Sequence, residues 1–175
     1  FQPDDDDQRK DDRIFDEQRG QAIVAAVTGC AGLAGETRKP SREAAPPLFD
    51  LTALQRDANR RFSWSARRTL GAAQRCYEVH KLLTYPRTDS RCLPSDYRET
   101  VNQVLQSYAA AGADSPAGEF AHFARQLLES GLQNSDRIFD DAGVSDHFAI
   151  IPTGALPSRE LRGDDRRLYD LVLRR

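Results

Sequence analysis

The stretch that decides the fold runs from residue 68 to residue 90 and reads RTLGAAQRCYEVHKLLTYPRTDS. Its first part predicts a helix that begins at Ser65 and continues to about Leu83, because apolar residues repeat along one face at helical spacing. Its last part, residues 84–90, is polar and contains a proline that pushes Tyr85 towards an extended conformation. The sequence therefore predicts a helix that leads directly into a polar segment carrying a tyrosine.

Four further helices are predicted from end signals and periodicity. Thr52–Gln55 has the spacing of a capping box, in which the threonine and glutamine side chains satisfy amides at the helix start. Ser115–Gly131 begins with a capping serine and a proline and ends at a glycine. The other two helices are expected over residues 95–110 and 164–174. Together these helices predict a mainly α, compact domain over residues 47–175.

Residues 1–46 are predicted to be a leader and a linker outside this domain. Residues 1–13 are acid-rich, and their run of four aspartates is more typical of a solvated linker than of a metal site. From Ile23 to Leu33, β-branched residues separated by glycines are compatible with a strand. Prolines spaced over residues 40–47 favour an extended connector. The chain has neither an initiator methionine nor a signal peptide, so we expect it to be a piece of a longer protein.

Composition excludes several classes of protein. Charged residues make up 30% of the chain and hydrophobic residues 39%, and no apolar run approaches the roughly 20 residues that a membrane span needs. The cysteines Cys30, Cys76 and Cys92 include no C-x-x-C pair, which argues against a disulfide framework and a zinc site. We therefore expect a cytoplasmic protein with reduced, buried or half-buried thiols and no membrane partner.

Charge is distributed unevenly along the chain. The net charge is −2, which by itself argues against a nucleic-acid partner. Residues 51–100, however, contain 5 acidic and 10 basic side chains. Phosphate attraction acts over about a Debye length, near 10 Å, so a local basic face can bind DNA on a protein of acidic total charge. The basic segment is therefore compatible with a nucleic-acid partner.

Tyr85 and Arg87 are candidates for phosphodiester chemistry. If the chain stays extended, residues i and i+2 share a face, so the phenol and the guanidinium would point the same way. A neighbouring positive charge favours a nucleophilic phenolate, and a guanidinium can stabilise charge that develops on phosphorus. By spacing alone, however, a Tyr–Pro pair at a helix end is more often a packing feature than a catalytic one.

Residues 84–90, TYPRTDS, resemble the active-site signature of type IA DNA topoisomerases, in the proline-containing form typical of the topoisomerase III branch. The similarity extends, in the same order, to segments on both sides. These are residues 47–62, 65–70, 144–154 and 168–172. The agreement covers most of residues 47–175 and implies the helical, tyrosine-bearing domain of such an enzyme, preceded by a partial segment of its β-rich arch domain.

The resemblance implies roles for three residues. Tyr85 aligns with the nucleophile that attacks a DNA phosphate and forms a 5′-phosphotyrosyl link, which conserves the bond energy so that religation needs no ATP. Arg87 aligns with an arginine that contacts the scissile phosphate. His147 aligns with a histidine that contacts DNA near the cleavage site, where protonation would add a phosphate donor. Phe148 departs from the pattern, because the family has a second histidine there.

Further DNA contacts are possible on the helices around this segment. Arg61, Arg67 and Arg68 are candidates for lining a single-strand path, although arginines on helices more often form a solvated face. Thr153 is a weaker candidate, because a hydroxyl after a proline more often makes a turn. Gln55 and Asn59 are further candidates for lining this path. Trp64 could stack on a base, but core packing is favoured for it.

The resemblance also implies components that the sequence lacks. In the family a separate module supplies acidic residues that hold Mg²⁺, and the tyrosine domain packs against it. Neither this module nor the remaining arch segments are evident, and Asp4–Asp7 has the wrong context to replace the acidic cluster. We therefore expect the metal ligands to lie outside this chain and the isolated chain to be inactive. The alternative is a module that binds single-stranded DNA weakly, or is purely structural.

Overall fold

The computed structural model describes residues 14–33, 35–41, 43–132 and 135–175. The chain divides into two compact units, residues 1–43 and 44–175. The described residues are mostly helical, and their only β pairing consists of three isolated bridges. The mainly α prediction is confirmed. Within the same described ranges, no helix has both the length and the apolar character needed to cross a membrane.

The first unit contains one helix in its described part, α1 (Glu17–Val27). The strand that seemed compatible with Ile23–Leu33 is therefore wrong for these residues: the first five are helical and the rest form a turn and irregular chain. Local interactions explain the helix. The Asp16 side chain accepts a hydrogen bond from the amide of Arg19 at the helix start, and alanine-rich sequence favours helical backbone over strand. Cys30, predicted to be buried or half-buried, is exposed.

The second unit begins with α2 (Leu51–Phe62) and α3 (Ala66–Glu78). The predicted capping box of α2 is wrong. Asp50 is the cap and accepts from the amide of Ala53, whereas Thr52 lies inside the first turn and Gln55 donates to the carbonyl of Ala66 at 3.2 Å. Asp50 also pairs with Arg91 at 2.7 Å, so a tertiary contact selects this cap over its neighbour.

Helix α3 begins as predicted and ends earlier. Ser65 caps its start by accepting from the amide of Arg68. The helix stops at Glu78 rather than near Leu83, because Lys81 adopts a left-handed conformation with φ of 57°. This conformation lets the amide of Leu82 reach back to the carbonyl of Cys76 at 2.8 Å.

The later helices are α4 (Arg98–Ala109), α5 (Gly118–Ser130), the short α6 (Ser135–Ile138) and α7 (Gly163–Leu173). A short 3-10 helix, Ser95–Tyr97, precedes α4. Helix α5 begins after Ala117, two residues later than expected, because the Ser115 hydroxyl instead accepts from the amide of Ala117. Its end at Gly131, where φ is 73°, is as predicted.

The main core lies where α2, α3 and α7 pack together, and it continues to the α4–α5 pair. Leu54, Ala58 and Leu168 are fully buried in it. The hydroxyls of Tyr108 on α4 and Tyr169 on α7 form a hydrogen bond that connects the α4–α5 pair to the group formed by α2, α3 and α7. A smaller apolar cluster lies beside it and contains Leu93, Phe139, Ala149 and Ile151.

Candidate active site around Tyr85

Thr84 anchors the backbone just before Tyr85. Its hydroxyl donates to the carbonyl of Ala149 at 3.0 Å and accepts from the amide of Ile151 at 2.9 Å. Its own amide donates to the carbonyl of Ile151 at 2.9 Å. An antiparallel bridge between Leu83 and Pro152 continues the pairing. One threonine therefore joins two segments of chain that are far apart in sequence.

Thr88 and Ser90 anchor the backbone after Tyr85. Both side chains are buried. The Thr88 hydroxyl donates to the carbonyl of His147 at 3.1 Å, and the Ser90 hydroxyl donates to the carbonyl of Gly143 at 2.7 Å. The carbonyl of Thr88 accepts from the amide of Leu51 at the start of α2 at 3.0 Å. The tyrosine thus lies on a segment that is fixed at both ends.

Tyr85 is half-buried and its ring lies between two other rings. Its centroid is 5.4 Å from that of Tyr77 in an edge-on arrangement and 4.4 Å from that of His147 in a tilted one. Such contacts restrict how the ring can rotate. In the part of the chain that the structure describes, its hydroxyl makes no hydrogen bond. The ring is therefore held in place, while its oxygen is not engaged by a hydrogen bond from the described residues.

Arg87 is exposed, and its guanidinium has no carboxylate partner among the described residues. The backbone bends at Pro86, so the extended path on which Tyr85 and Arg87 would share a face is interrupted. The condition on which a shared face was predicted, a continuous extended backbone, is therefore not met at Pro86. The carboxylate of the nearby Asp89 does not pair with this guanidinium; it accepts a hydrogen bond from the Ser145 hydroxyl at 3.1 Å.

His147 lies beside Tyr85 although the two are distant in sequence. Its ring contacts the tyrosine and its side chain is exposed. Phe148, the departure from the family pattern, is half-buried and packs against Tyr97, with ring centroids 4.7 Å apart. The phenylalanine therefore belongs to the apolar cluster rather than to the polar surface around Tyr85.

Two of the candidate DNA-binding arginines lie at the opposite end of α3 from the contact with Tyr85, and two of the three candidates are paired with aspartates. Arg67 and Arg68 are in the first turn of α3, whereas Tyr77 is in its last, and a rise of about 1.5 Å per residue separates them by roughly 15 Å. Arg68 is engaged by Asp164 through two hydrogen bonds of 2.7 and 2.8 Å. Arg61 pairs with Asp57 at 3.4 Å.

The other polar candidates have structural contacts. The hydroxyl of Thr153 donates to the carbonyl of Lys81 at 2.6 Å, which fits the turn rather than a free donor. Gln55 and Asn59 donate to the carbonyls of Ala66 and Trp64, and so they connect α2 to the start of α3. The indole of Trp64 is 1% exposed, which excludes base stacking without rearrangement.

Two residues near Tyr85 are not among the site residues predicted from the sequence. Tyr77 contacts the Tyr85 ring, and the ammonium of Lys81 lies 5.8 Å from the centroid of the Tyr77 ring. Both residues lie within the helix predicted from Ser65 to about Leu83, although the observed helix ends at Glu78. Periodicity gave them no role in the site, because it cannot distinguish a helical face that meets the core from one that meets the segment around Tyr85.

A cluster of ion pairs connects α3 to α7. Asp165 accepts from Arg75, with a shortest contact of 2.6 Å, and lies 3.1 Å from the ring of His80. Hydrogen bonding to Arg68 holds the pKa of Asp164 below its usual value. Beneath these pairs, burial raises the pKa of the Cys76 thiol to about 12. The charges in this region thus stabilise helix packing.

A protein metal site needs several ligand side chains close together. Residues 14–33, 35–41, 43–132 and 135–175 contain no group of three or more histidine, cysteine, aspartate or glutamate side chains that could hold a metal ion. The run Asp4–Asp7 lies outside the described residues. The described side chains therefore do not fit a magnesium site.

Comparison with known proteins gives concordant results. A family model described as DNA topoisomerase matches residues 2–175. DNA topoisomerase 3 of Shouchella clausii strain KSM-K16 is 41% identical over 169 residues, which is 95% of this chain and 22% of that protein. DNA topoisomerase 3 of Bacillus subtilis strain 168 is 38% identical over 172 residues, or 97% of this chain and 23% of the relative. The chain thus spans less than a quarter of the curated relatives it matches.

Proposed function

The chain belongs to the type IA DNA topoisomerase family, in its topoisomerase III-like branch, and from this premise we propose that it carries the strand-cleaving tyrosine, Tyr85. In the proposed reaction the Tyr85 oxygen forms a bond to a DNA phosphorus and the bond from phosphorus to the 3′ oxygen breaks. The proton of the phenol passes overall to the 3′ oxygen. The products are a 5′-phosphotyrosyl link and a free 3′-hydroxyl, and the reverse step reseals the strand without ATP.

The observation that carries the proposal is the setting of Tyr85. Its ring is held between Tyr77 and His147, its backbone is fixed by buried hydroxyls, and its oxygen is free of hydrogen bonds within the described residues. An oxygen that is not engaged by a hydrogen bond, on a ring that is held in place, favours attack on a bound phosphate, because positioning removes much of the entropic barrier.

Arg87 and His147 are proposed to bind the phosphate groups around the cleaved bond. Both side chains are exposed on the segments that the Thr84 and Thr88 hydrogen bonds join. A guanidinium can bind two phosphate oxygens at once, and an imidazole can donate one hydrogen bond. These groups would stabilise the negative charge that builds up on phosphorus during attack.

Residues 47–175 are proposed to act as one domain of a longer enzyme in the cytoplasm. Its substrate would be single-stranded regions of DNA, and its cleavage step would need Mg²⁺ bound by a separate module packed against this domain. Magnesium would supply positive charge at the reacting phosphate. Since the described residues do not fit a magnesium site, the ligands of the ion would come from that separate module.

The decisive experiment is Tyr85→Phe in the full-length enzyme, assayed for relaxation of negatively supercoiled plasmid. Loss of relaxation is expected, because the substitution removes the attacking oxygen and keeps the ring contacts. Tyr77→Phe is the matched control, since it removes a hydroxyl from the adjacent ring and should leave relaxation in place. Relaxation by the Tyr85→Phe enzyme would refute the assignment.

The isolated chain is proposed to be inactive in cleavage while retaining weak binding to single-stranded DNA. Incubation with a labelled oligonucleotide should give no covalent adduct on a denaturing gel. An adduct that disappears in Tyr85→Phe would contradict the need for a separate metal module. If the chain fails to bind the oligonucleotide, the purely structural alternative is supported instead.

A further inference from the structure

Lys81 has an uncommon backbone conformation. Its φ of 57° lies in the left-handed region, which is unfavourable for a residue with a side chain. Two non-glycine residues in the described part of the chain have positive φ, Ser63 and Lys81. Glycine is the usual residue at such a helix end. A lysine at this position suggests that its side chain has a role that offsets the backbone strain.

Neighbouring hydrogen bonds hold Lys81 in place. Its carbonyl accepts from the hydroxyl of Thr153 at 2.6 Å, and the next carbonyl, that of Leu82, accepts from the amide of Thr153 at 3.0 Å. The amide of Leu82 is bonded to the carbonyl of Cys76 at the end of α3. The side chain therefore leaves a fixed point of the backbone.

The ammonium of Lys81 is exposed and close to Tyr85. It lies 5.8 Å from the centroid of Tyr77, which is itself 5.4 Å from that of Tyr85. These two distances limit its separation from the centroid of the Tyr85 ring to about 11 Å, which is within reach of the same bound strand. Within the described residues it forms no ion pair.

Lys81 is also the single lysine of residues 44–175, where every other permanent cation is an arginine. A lysine presents a compact charge on a flexible stem and does not require the planar geometry of a guanidinium. It can therefore contact a phosphate without fixing the orientation of the strand.

We propose that Lys81 binds a backbone phosphate of the DNA strand on the side of Tyr85 lined by Tyr77, not the phosphate that is cleaved. The ring of Tyr77 limits the positions of the ammonium by a cation–π contact. This inference rests on the proposed function, because it assumes that a strand lies across Tyr85. It makes Lys81 a binding residue that keeps the strand aligned and takes no part in bond breaking.

The test measures binding of a fluorescein-labelled single-stranded oligonucleotide to the 175-residue chain as a function of salt concentration. Lys81→Gln should bind more weakly at low salt, and its plot of log affinity against log salt should be less steep by about 0.7. Lys81→Arg should restore the slope. Lys39→Gln is the matched control, with the same change of charge outside residues 44–175, and should leave the slope unchanged.

A second measurement locates the contact. Oligonucleotides in which one phosphate at a time is replaced by a neutral methylphosphonate should include a position that weakens binding of the unsubstituted chain. The same replacement should have no further effect on Lys81→Gln. Equal salt slopes for the two proteins, with unchanged thermal unfolding, would overturn the inference and leave the proposed function intact. Failure of the unsubstituted chain to bind would overturn both the inference and the DNA-binding part of the proposed function.

Discussion

Cations in the helical unit have two kinds of surroundings. Between α3 and α7, Arg68 and Arg75 are each held by an aspartate, with contacts of 2.7 and 2.6 Å. Around Tyr85, the side chains of Lys81, Arg87 and His147 are exposed and have no carboxylate partner among the described residues. Both regions contribute to the same basic stretch of sequence.

The difference shows that net charge along the sequence overstates the charge available to DNA. A guanidinium already bonded to a carboxylate must lose that partner before it can bind phosphate, whereas an unpaired cation only loses water and counterions. We infer that the paired region stabilises the fold and the unpaired region binds the strand. The following predictions test this division.

Arg87→Ala and Arg75→Ala should give the largest contrast. In the full-length enzyme, Arg87→Ala should lower the rate of plasmid relaxation by about 10²–10³-fold, the usual effect of removing one donor to a developing charge, with no change in thermal unfolding. Arg75→Ala should keep relaxation and unfold at lower temperature, because Asp165 loses its main partner. The division fails if Arg87→Ala relaxes plasmid normally.

Thr84→Val should destabilise the region around Tyr85. The substitution keeps the shape of the side chain but leaves the amide of Ile151, which donates to the Thr84 hydroxyl, without its acceptor. An unpaired buried group costs about 1–3 kcal/mol in free energy of unfolding, which denaturant unfolding would measure. Thr52→Val is the control, since Thr52 is exposed in α2, and a surface change is usually within about 0.5 kcal/mol. Equal stability of the two variants would argue against the Thr84 anchor.

A pH above 9.0 should lower the stability of the folded chain, because the Cys76 thiol is buried beneath the ion pairs between α3 and α7. Burial raises the pKa of its thiol from 9.0 to about 12 in the folded chain, so the folded state keeps a proton that the unfolded state releases. Its contribution is complete below pH 9.0, decreases above it and is lost as the pH rises through about 12.

Because of this difference in pKa, the free energy of unfolding should be roughly 1 kcal/mol lower at pH 10 than at pH 7 from this group alone. Urea unfolding at both pH values should show a smaller decrease for Cys76→Ala. Cys30→Ala, at an exposed thiol, should behave like the unsubstituted chain. An identical pH dependence in Cys76→Ala would contradict the assignment.

Arg68→Gln should have the smallest effect on DNA binding. Because Asp164 already occupies the Arg68 guanidinium, its loss should leave the salt dependence of oligonucleotide binding almost unchanged. Arg67→Gln, at the adjacent residue, which has no ion pair within the described chain, should make the dependence less steep by up to about 0.7. A larger change in Arg68→Gln than in Arg67→Gln would reverse our division of the two regions.

Much of the helical fold could be predicted because its signals are local. Ser65 and Gly131 define helix ends by contacts with residues a few positions away. The start of α2 could not be assigned in this way, because Asp50 and Thr52 are both suitable caps. The choice depends on Arg91, which is distant in sequence and pairs with Asp50.

The candidate site could be predicted only in part from the residues themselves. Tyr85 and Arg87 are close in sequence, and their chemistry could be proposed from that proximity. No local pattern indicated that His147 would contact Tyr85, and the resemblance to a known family was needed to name it. The contribution of Lys81 depends on a backbone angle and a ring contact, neither of which sequence periodicity specifies.

The hydrogen bonds of Thr84 also have a kinetic consequence. They join residues 65 and 67 positions apart, so they form only after the intervening chain, including α4 and α5, has closed into a loop. Loop closure of this length loses entropy before any bond is made, and non-local contacts slow folding. The surroundings of Tyr85 therefore cannot assemble during synthesis until the ribosome has released the chain beyond Ile151.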